Sequence, residues 1–129
     1  MPSPATLERF VALVEGGRFL EAMEEFYAGD ATMQENEQPP RVGKEALLAN
    51  ERKVIAGTAR VRARHVAPLQ VNGDHVVIRW VFEFEGADGS VRRVDELAWQ
   101  RWRGEKIVEE KFFYDPSQMA AKRGSNSNA

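Results

Sequence analysis

The chain has 129 residues, 43% hydrophobic and 29% charged, which suits one domain around one core. Its 18 basic and 20 acidic side chains leave a net charge of -2, so no global field draws it to nucleic acid or to anionic membrane. Cysteine is absent, which excludes disulfides, a thiol nucleophile and thiolate metal ligands.

The opening "MPSPATLERF" has no basic start ahead of an apolar run, so no secretory signal is expected. No apolar stretch nears the ~20 residues that span a bilayer, and a cytoplasmic setting follows as the expectation. Ser3 is a good N-cap and Pro4 fits the first helical position. Leu7, Phe10, Val11 and Val14 recur at helical spacing, so a first amphipathic helix is predicted, ended by Gly16-Gly17. "RFLEAMEEFY" predicts a second, with Phe19, Met23, Phe26 and Tyr27 on one side. Gly29-Asp30 reads as a turn into the strand "ATMQEN". Pro39-Pro40 breaks that strand, because neither proline can donate a ladder hydrogen bond. "GKEALLANERKVIAG" predicts a third helix with Leu47, Leu48, Val54 and Ile55 as its apolar side.

The second half alternates. In "TARVRARHVAPLQV", Arg60, Arg62 and Arg64 face one way and Val61, Ala63 and His65 the other. Asn72-Gly73-Asp74 is a hairpin signal. In "HVVIRWVFEFEG", Val76, Ile78, Trp80, Phe82 and Phe84 share a face. Ala87-Asp88-Gly89 turns into "SVRRVDELAWQRWR", with Glu96, Ala98, Gln100 and Trp102 on one face. Gly104-Glu105 turns into "KIVEEKFFYD", where Val108, Glu110, Phe112 and Tyr114 align. Three helices followed by strands joined by hairpins make an α+β layout, with helices on one face of a curved antiparallel sheet. Residues 1–116 form the single expected domain, and 117–129 a polar tail expected to be disordered.

At "FYAGDATMQENEQPPRVGKEALL" the chain resembles the SnoaL-like branch of the nuclear transport factor 2 superfamily. The shared features are the aromatic-Ala-x-Asp run Tyr27-Ala28-Gly29-Asp30, the strand from Ala31 to Asn36, the Pro39-Pro40 loop and Gly43 opening a helix. "GEKIVEEKFFYD" resembles the family's last strand. The resemblance implies a cone-shaped α+β barrel of cystatin-like architecture, with a pocket between helices and sheet. It also implies homodimers joined through the outer sheet face. Its activities range from isomerases, dehydratases and polyketide cyclases to pure binding proteins, so fold alone does not assign a function.

Within that resemblance, Glu35 falls where ketosteroid isomerases carry a proton-shuttling aspartate. Their oxyanion tyrosine would fall at Phe10, and their protonated acid near Ala98, so those donors are missing. Glu35, Glu110 and His65 are the candidate catalytic groups. Two carboxylates and a histidine can support acid–base chemistry such as isomerisation, dehydration or cyclisation, without a cofactor. Tyr27, Met33, Trp80, Phe82, Gln100, Trp102, Phe112 and Tyr114 are the candidate ligand-binding residues, and a small, largely apolar organic molecule is the expected ligand. The plainer readings are Glu35 at an open rim, a hydrogen-bonded His65, and Tyr114 ordering a carboxylate. A non-catalytic binding or dimerisation module is the alternative function.

Only His65 and His75 are present, without a His-Glu-x-x-His helix, so no metal site is expected. The arginines of "RVRAR" can be answered by Glu83 and Glu85 on a neighbouring strand, which removes the case for nucleic acid. Trp99 and Phe113, with Arg62 and Glu83 on the same outer face, mark the expected homodimer surface.

Overall fold

The elements run α1 (Pro4–Glu15), α2 (Phe19–Phe26), β1 (Tyr27–Glu35), β2 (Arg41–Val42), α3 (Lys44–Ala56), β3 (Arg60–Asn72), β4 (His75–Glu85), β5 (Val91–Arg103), β6 (Lys106–Phe113) and a 3-10 turn, Pro116–Met119. The computed structural model describes residues 1–120, and the polar tail from residue 121 lies outside the described residues.

The helix boundaries follow local chemistry. Ser3 Oγ accepts from the Thr6 backbone N–H (3.1 Å), and Pro4 opens α1. Gly43 precedes α3 at φ +94°, a conformation that L side chains rarely adopt. In that conformation its N–H reaches the Ala31 carbonyl (2.8 Å), which ties the start of α3 to β1.

Six strands form one sheet in the order β2-β1-β6-β5-β4-β3. β3 to β6 are an antiparallel meander, as the turn residues predict. β1 differs: it lies parallel to β6, with Met33 opposite Glu110 and Glu35 opposite Phe112. The sheet is therefore mixed rather than wholly antiparallel. The physical reason is connectivity, since no hairpin joins β1 to β6 and their relative direction is free of turn geometry. After the proline break, Arg41 and Val42 fold back on β1 as the short β2, which strand periodicity is too brief to reveal.

Two irregularities set which side chains face inward. The Gly29-Asp30 segment is a bulge inside β1 rather than a turn before it, marked by the register shift between Tyr27 and Thr32. A second shift lies in β6: Trp102 pairs with Ile107 and Arg101 with Glu109, leaving Val108 extra. Ile107, wholly buried, thereby joins the main core cluster, while Val108, which strict alternation selects, is buried outside that cluster.

The helices cover one sheet face. Leu7, Phe10, Met23 and Phe26 pack with Ile78, Trp80, Ala98 and Trp102 in one buried cluster. The Phe10 ring meets Phe26 and Trp102 edge-on, with centroids 5.7 and 6.0 Å away. Such edge-to-face pairs add about 0.5–1.5 kcal/mol each beyond the area they bury.

Candidate functional site

The helices and the inner sheet face do not fill the space between them, and a cavity of about 420 Å³ remains. Phe10 and Val14 of α1 and Phe19, Ala22 and Met23 of α2 form part of its wall. Trp80, Phe82 and Phe84 of β4 and Phe112 of β6 supply aromatic rings, and α3 contributes Asn50, Glu51 and Val54. Four carboxyl groups line this apolar space: Glu35, Glu51, Glu96 and Glu110.

Each carboxyl is held differently. Glu110 sits at the bottom of a buried relay. Trp102 Nε1–H donates to Gln100 Oε1 (3.0 Å), and Gln100 Nε2 donates to Glu110 Oε2 (2.7 Å). Tyr27 Oη donates to Glu110 Oε1. Burial pushes Glu110 up to about 7, against the two hydrogen bonds that favour its charge. Burial, with Glu110 beside it, also lifts the Tyr27 hydroxyl well above the ordinary range, so Tyr27 keeps its proton.

Glu35, at the end of β1, accepts from Tyr114 Oη at Oε1 (2.6 Å) and from the Arg41 guanidinium at Oε2 (3.2 Å). Burial and that bond raise the Tyr114 hydroxyl, so it stays a donor. Glu96, on β5 opposite Trp80, has no hydrogen bond or ion pair among the described residues. Burial first, then the charges of Glu110 and Glu35, push it up to about 8. Glu51 is likewise unpaired among the described residues, and burial followed by Glu35 raises it.

Of the residues singled out in the sequence, Glu35, Glu110, Tyr27, Met33, Trp80, Phe82, Phe112 and Tyr114 line the cavity together. Gln100 and Trp102 lie behind the wall as the relay to Glu110. His65 stands apart from the lining. Glu15 Oε2, at the end of α1, lies 2.7 Å from both its backbone N and its Nδ1, and the ring meets Trp80 edge-on at 6.2 Å. Arg41, Asn50, Glu51, Lys53, Thr58, Arg92 and Glu96 are the polar lining residues that the sequence does not single out. Two of them left a signal: Glu96 shares an alternating face with Ala98 and Gln100, and Glu51 falls on the apolar side of α3. Among the described residues no group of three or more His, Cys, Asp or Glu side chains is arranged to hold a metal. No helix among them is long and apolar enough to cross a membrane.

The opposite sheet face carries Leu97 and Phe113, directly opposite each other and 46% and 45% exposed, with half-buried Trp99 two residues further along β5 and His75 5.4 Å from its ring. Ion pairs surround them: Arg79 with Asp95 (2.7 Å) and Arg101 with Glu109 (3.1 Å). Arg62 and Glu83 lie directly opposite each other on β3 and β4.

No curated protein sequence matches the chain significantly. Solved structures do. A candidate SnoaL-like polyketide cyclase of Mesorhizobium loti is 25% identical, with 88% of this chain and all of that one covered and a TM-score of 0.74. A Catenulispora acidiphila protein with a ketosteroid isomerase-like fold, crystallised with trimethylamine, is 21% identical over 90% of this chain and 89% of its own, at a TM-score of 0.74. TerC, co-crystallised with polyporic acid, is 15% identical over 88% and 91% of the two chains, also at 0.74. The model of the SnoaL-like domain matches residues 7–110, most of the chain, with three of the four carboxyl groups well inside it, Glu110 at its last position, and the wall residues Phe112 and Tyr114 just beyond it. The protein therefore belongs to the SnoaL-like domain family.

Proposed function

We propose that the cavity takes a small, largely apolar organic molecule bearing a carbonyl group, and moves a proton on it without a cofactor. The observation that carries this reading is Glu96: an unpaired carboxyl in an apolar cavity, raised to about 8 by burial and by Glu110 and Glu35, and so protonated at neutral pH. A neutral carboxyl donates a hydrogen bond to a carbonyl oxygen and stabilises the enolate that forms when an adjacent carbon loses a proton. Glu35 is the base. Tyr114 and Arg41 hold its carboxylate at the cavity wall, with lone pairs left for the proton. The step balances: the C–H proton passes to Glu35 and the electron pair moves onto the oxygen bonded by Glu96; return of the proton to the α-carbon gives exchange, and in a β,γ-unsaturated ligand its return at the γ-carbon of the dienolate completes an isomerisation. Glu110, bonded at both oxygens, orients Tyr27 and Gln100 beneath the site. His65, engaged by Glu15, takes no part in this scheme. The aromatic walls hold the apolar body of the ligand.

The test is hydrogen–deuterium exchange at the α-carbon of 2-tetralone in D2O, followed by NMR. Wild-type protein should accelerate exchange over buffer, and Glu35→Gln should remove about 100-fold or more of that acceleration. An unaltered rate in Glu35→Gln would sink Glu35 as the base. Binding of the ketone with no acceleration by the wild type would favour the non-catalytic binding module instead.

The exposed Leu97 and Phe113, with half-buried Trp99 beside them, support a second part of the reading, a homodimer joined through the outer sheet face. The absence of cysteine suits a reducing, cytoplasmic setting.

A further inference from the structure

Proton transfer as proposed uses Glu35 and Glu96 and leaves Glu51 without a task. Glu51 occupies a helix position where an apolar side chain is the rule. It lies four residues after Leu47 and three before Val54, on the side of α3 turned to the cavity. Leu47 on this side is 1% exposed, and Glu51 itself is half-buried. Among the described residues Glu51 has no hydrogen bond and no ion pair, and the only charge that raises it is Glu35. The bases of the cavity are occupied elsewhere. Arg41 bonds Glu35 (3.2 Å) and Arg92 lies over the Phe84 ring at 6.0 Å, while Lys53, also in the lining, is exposed and makes no ion pair with Glu51. An unpaired carboxyl on the dry side of a helix is destabilising unless a bound group answers it.

We infer that the molecule this cavity takes carries a basic nitrogen, which sits as an ammonium against Glu51 while aromatic rings enclose its apolar body. The inference rests on the cavity being a small-molecule site, as proposed above. An ammonium supplies the donor and the positive charge that Glu51 lacks, and offsets the repulsion between Glu51 and Glu35. Trp80, Phe82 and Phe112 line the same cavity, and an aromatic face attracts a cation. A carboxylate ligand would meet four acidic groups against the three bases of the lining, and a ligand without a donor would leave Glu51 unanswered.

The experiment is calorimetric titration of the full chain at pH 7.5 with matched arylalkyl probes: 2-phenylethylamine, 2-phenylethanol and 3-phenylpropionate, and their naphthyl counterparts. The amines should bind about tenfold or more tighter than the alcohols, with the carboxylates weakest. Glu51→Gln should bring the amines down to the level of the alcohols and leave the alcohols unchanged, and Glu51→Leu should do the same by an independent substitution. Equal binding of amines and alcohols would overturn the inference while the small-molecule site stands, as would an amine preference that survives both substitutions. If no probe of any charge binds, the small-molecule reading itself fails and takes the inference with it.

Discussion

Glu96 and Glu110 hold protons that an unfolded chain would release. A carboxyl raised in the folded state from 4.5 to about 8 contributes stability that is fully present below pH 4.5 and lost as pH climbs through 8. Glu110 acts in the same direction over the narrower window up to about 7. The paired acids work the other way. Glu15 and Asp95 are lowered, so their stability appears only above the ordinary carboxylate range and is lost at acid pH. Wild-type protein should therefore lose thermal stability between pH 6 and pH 9. Glu96→Gln, which cannot ionise, should flatten that loss by on the order of 5 °C in Tm. Comparing the two melting curves cancels every other group that titrates in the window, and parallel curves would show that Glu96 ionises freely. At this scale the inward face of β5 was legible from alternation alone, because Glu96, Ala98, Gln100 and Trp102 follow at intervals of two on an unbroken strand. The bonds of these side chains were not. Trp102 to Gln100 to Glu110 joins two strands, and Glu15 to His65 joins a helix end to a strand, contacts that no local pattern encodes.

Elements show where sequence periodicity serves and where it slips. The apolar spacing of α1 and the Ser3-Pro4 start define that helix closely, and the hairpins after Asn72, Glu85 and Arg103 fall where glycine turns mark them. The bulge at Val108 is different. A single extra residue reverses the inward side of a strand without altering its composition, so Ile107 enters the core beside a pattern that names Val108. In α3 the departure from pattern is Glu51. Replacing a desolvated, unpaired carboxyl with an apolar side chain of similar size removes an unfavourable burial and adds a favourable one. Glu51→Leu should therefore stabilise the protein by about 1–2 kcal/mol in urea denaturation at pH 7. A loss of stability would mean that Glu51 is already satisfied in the fold and is not a position kept for a ligand.

For the whole molecule, the two sheet faces have different tasks. One is covered by helices around a cavity. The other exposes Leu97 and Phe113 with Trp99 between ion-paired neighbours, a surface with an apolar centre and a charged rim. Trp99→Arg places a charge at that centre and should convert a dimer to a monomer in light scattering, leaving the far-UV circular dichroism unchanged. A dimer that persists would place the contact elsewhere. The mixed character of the sheet could not be read from the chain, since strand direction without a connecting hairpin is settled only when the strands meet.

That parallel pairing of β1 with β6 also governs time. The meander from β3 to β6 assembles from chain neighbours, whereas β1 must find β6 from the other end of the chain, the kind of non-local closure that slows folding. Glu35 lies on one of these two strands and Glu110 on the other. The full site is therefore present only once this non-local pairing has formed. A ligand that touches both strands binds the paired form and holds closed the seam between them.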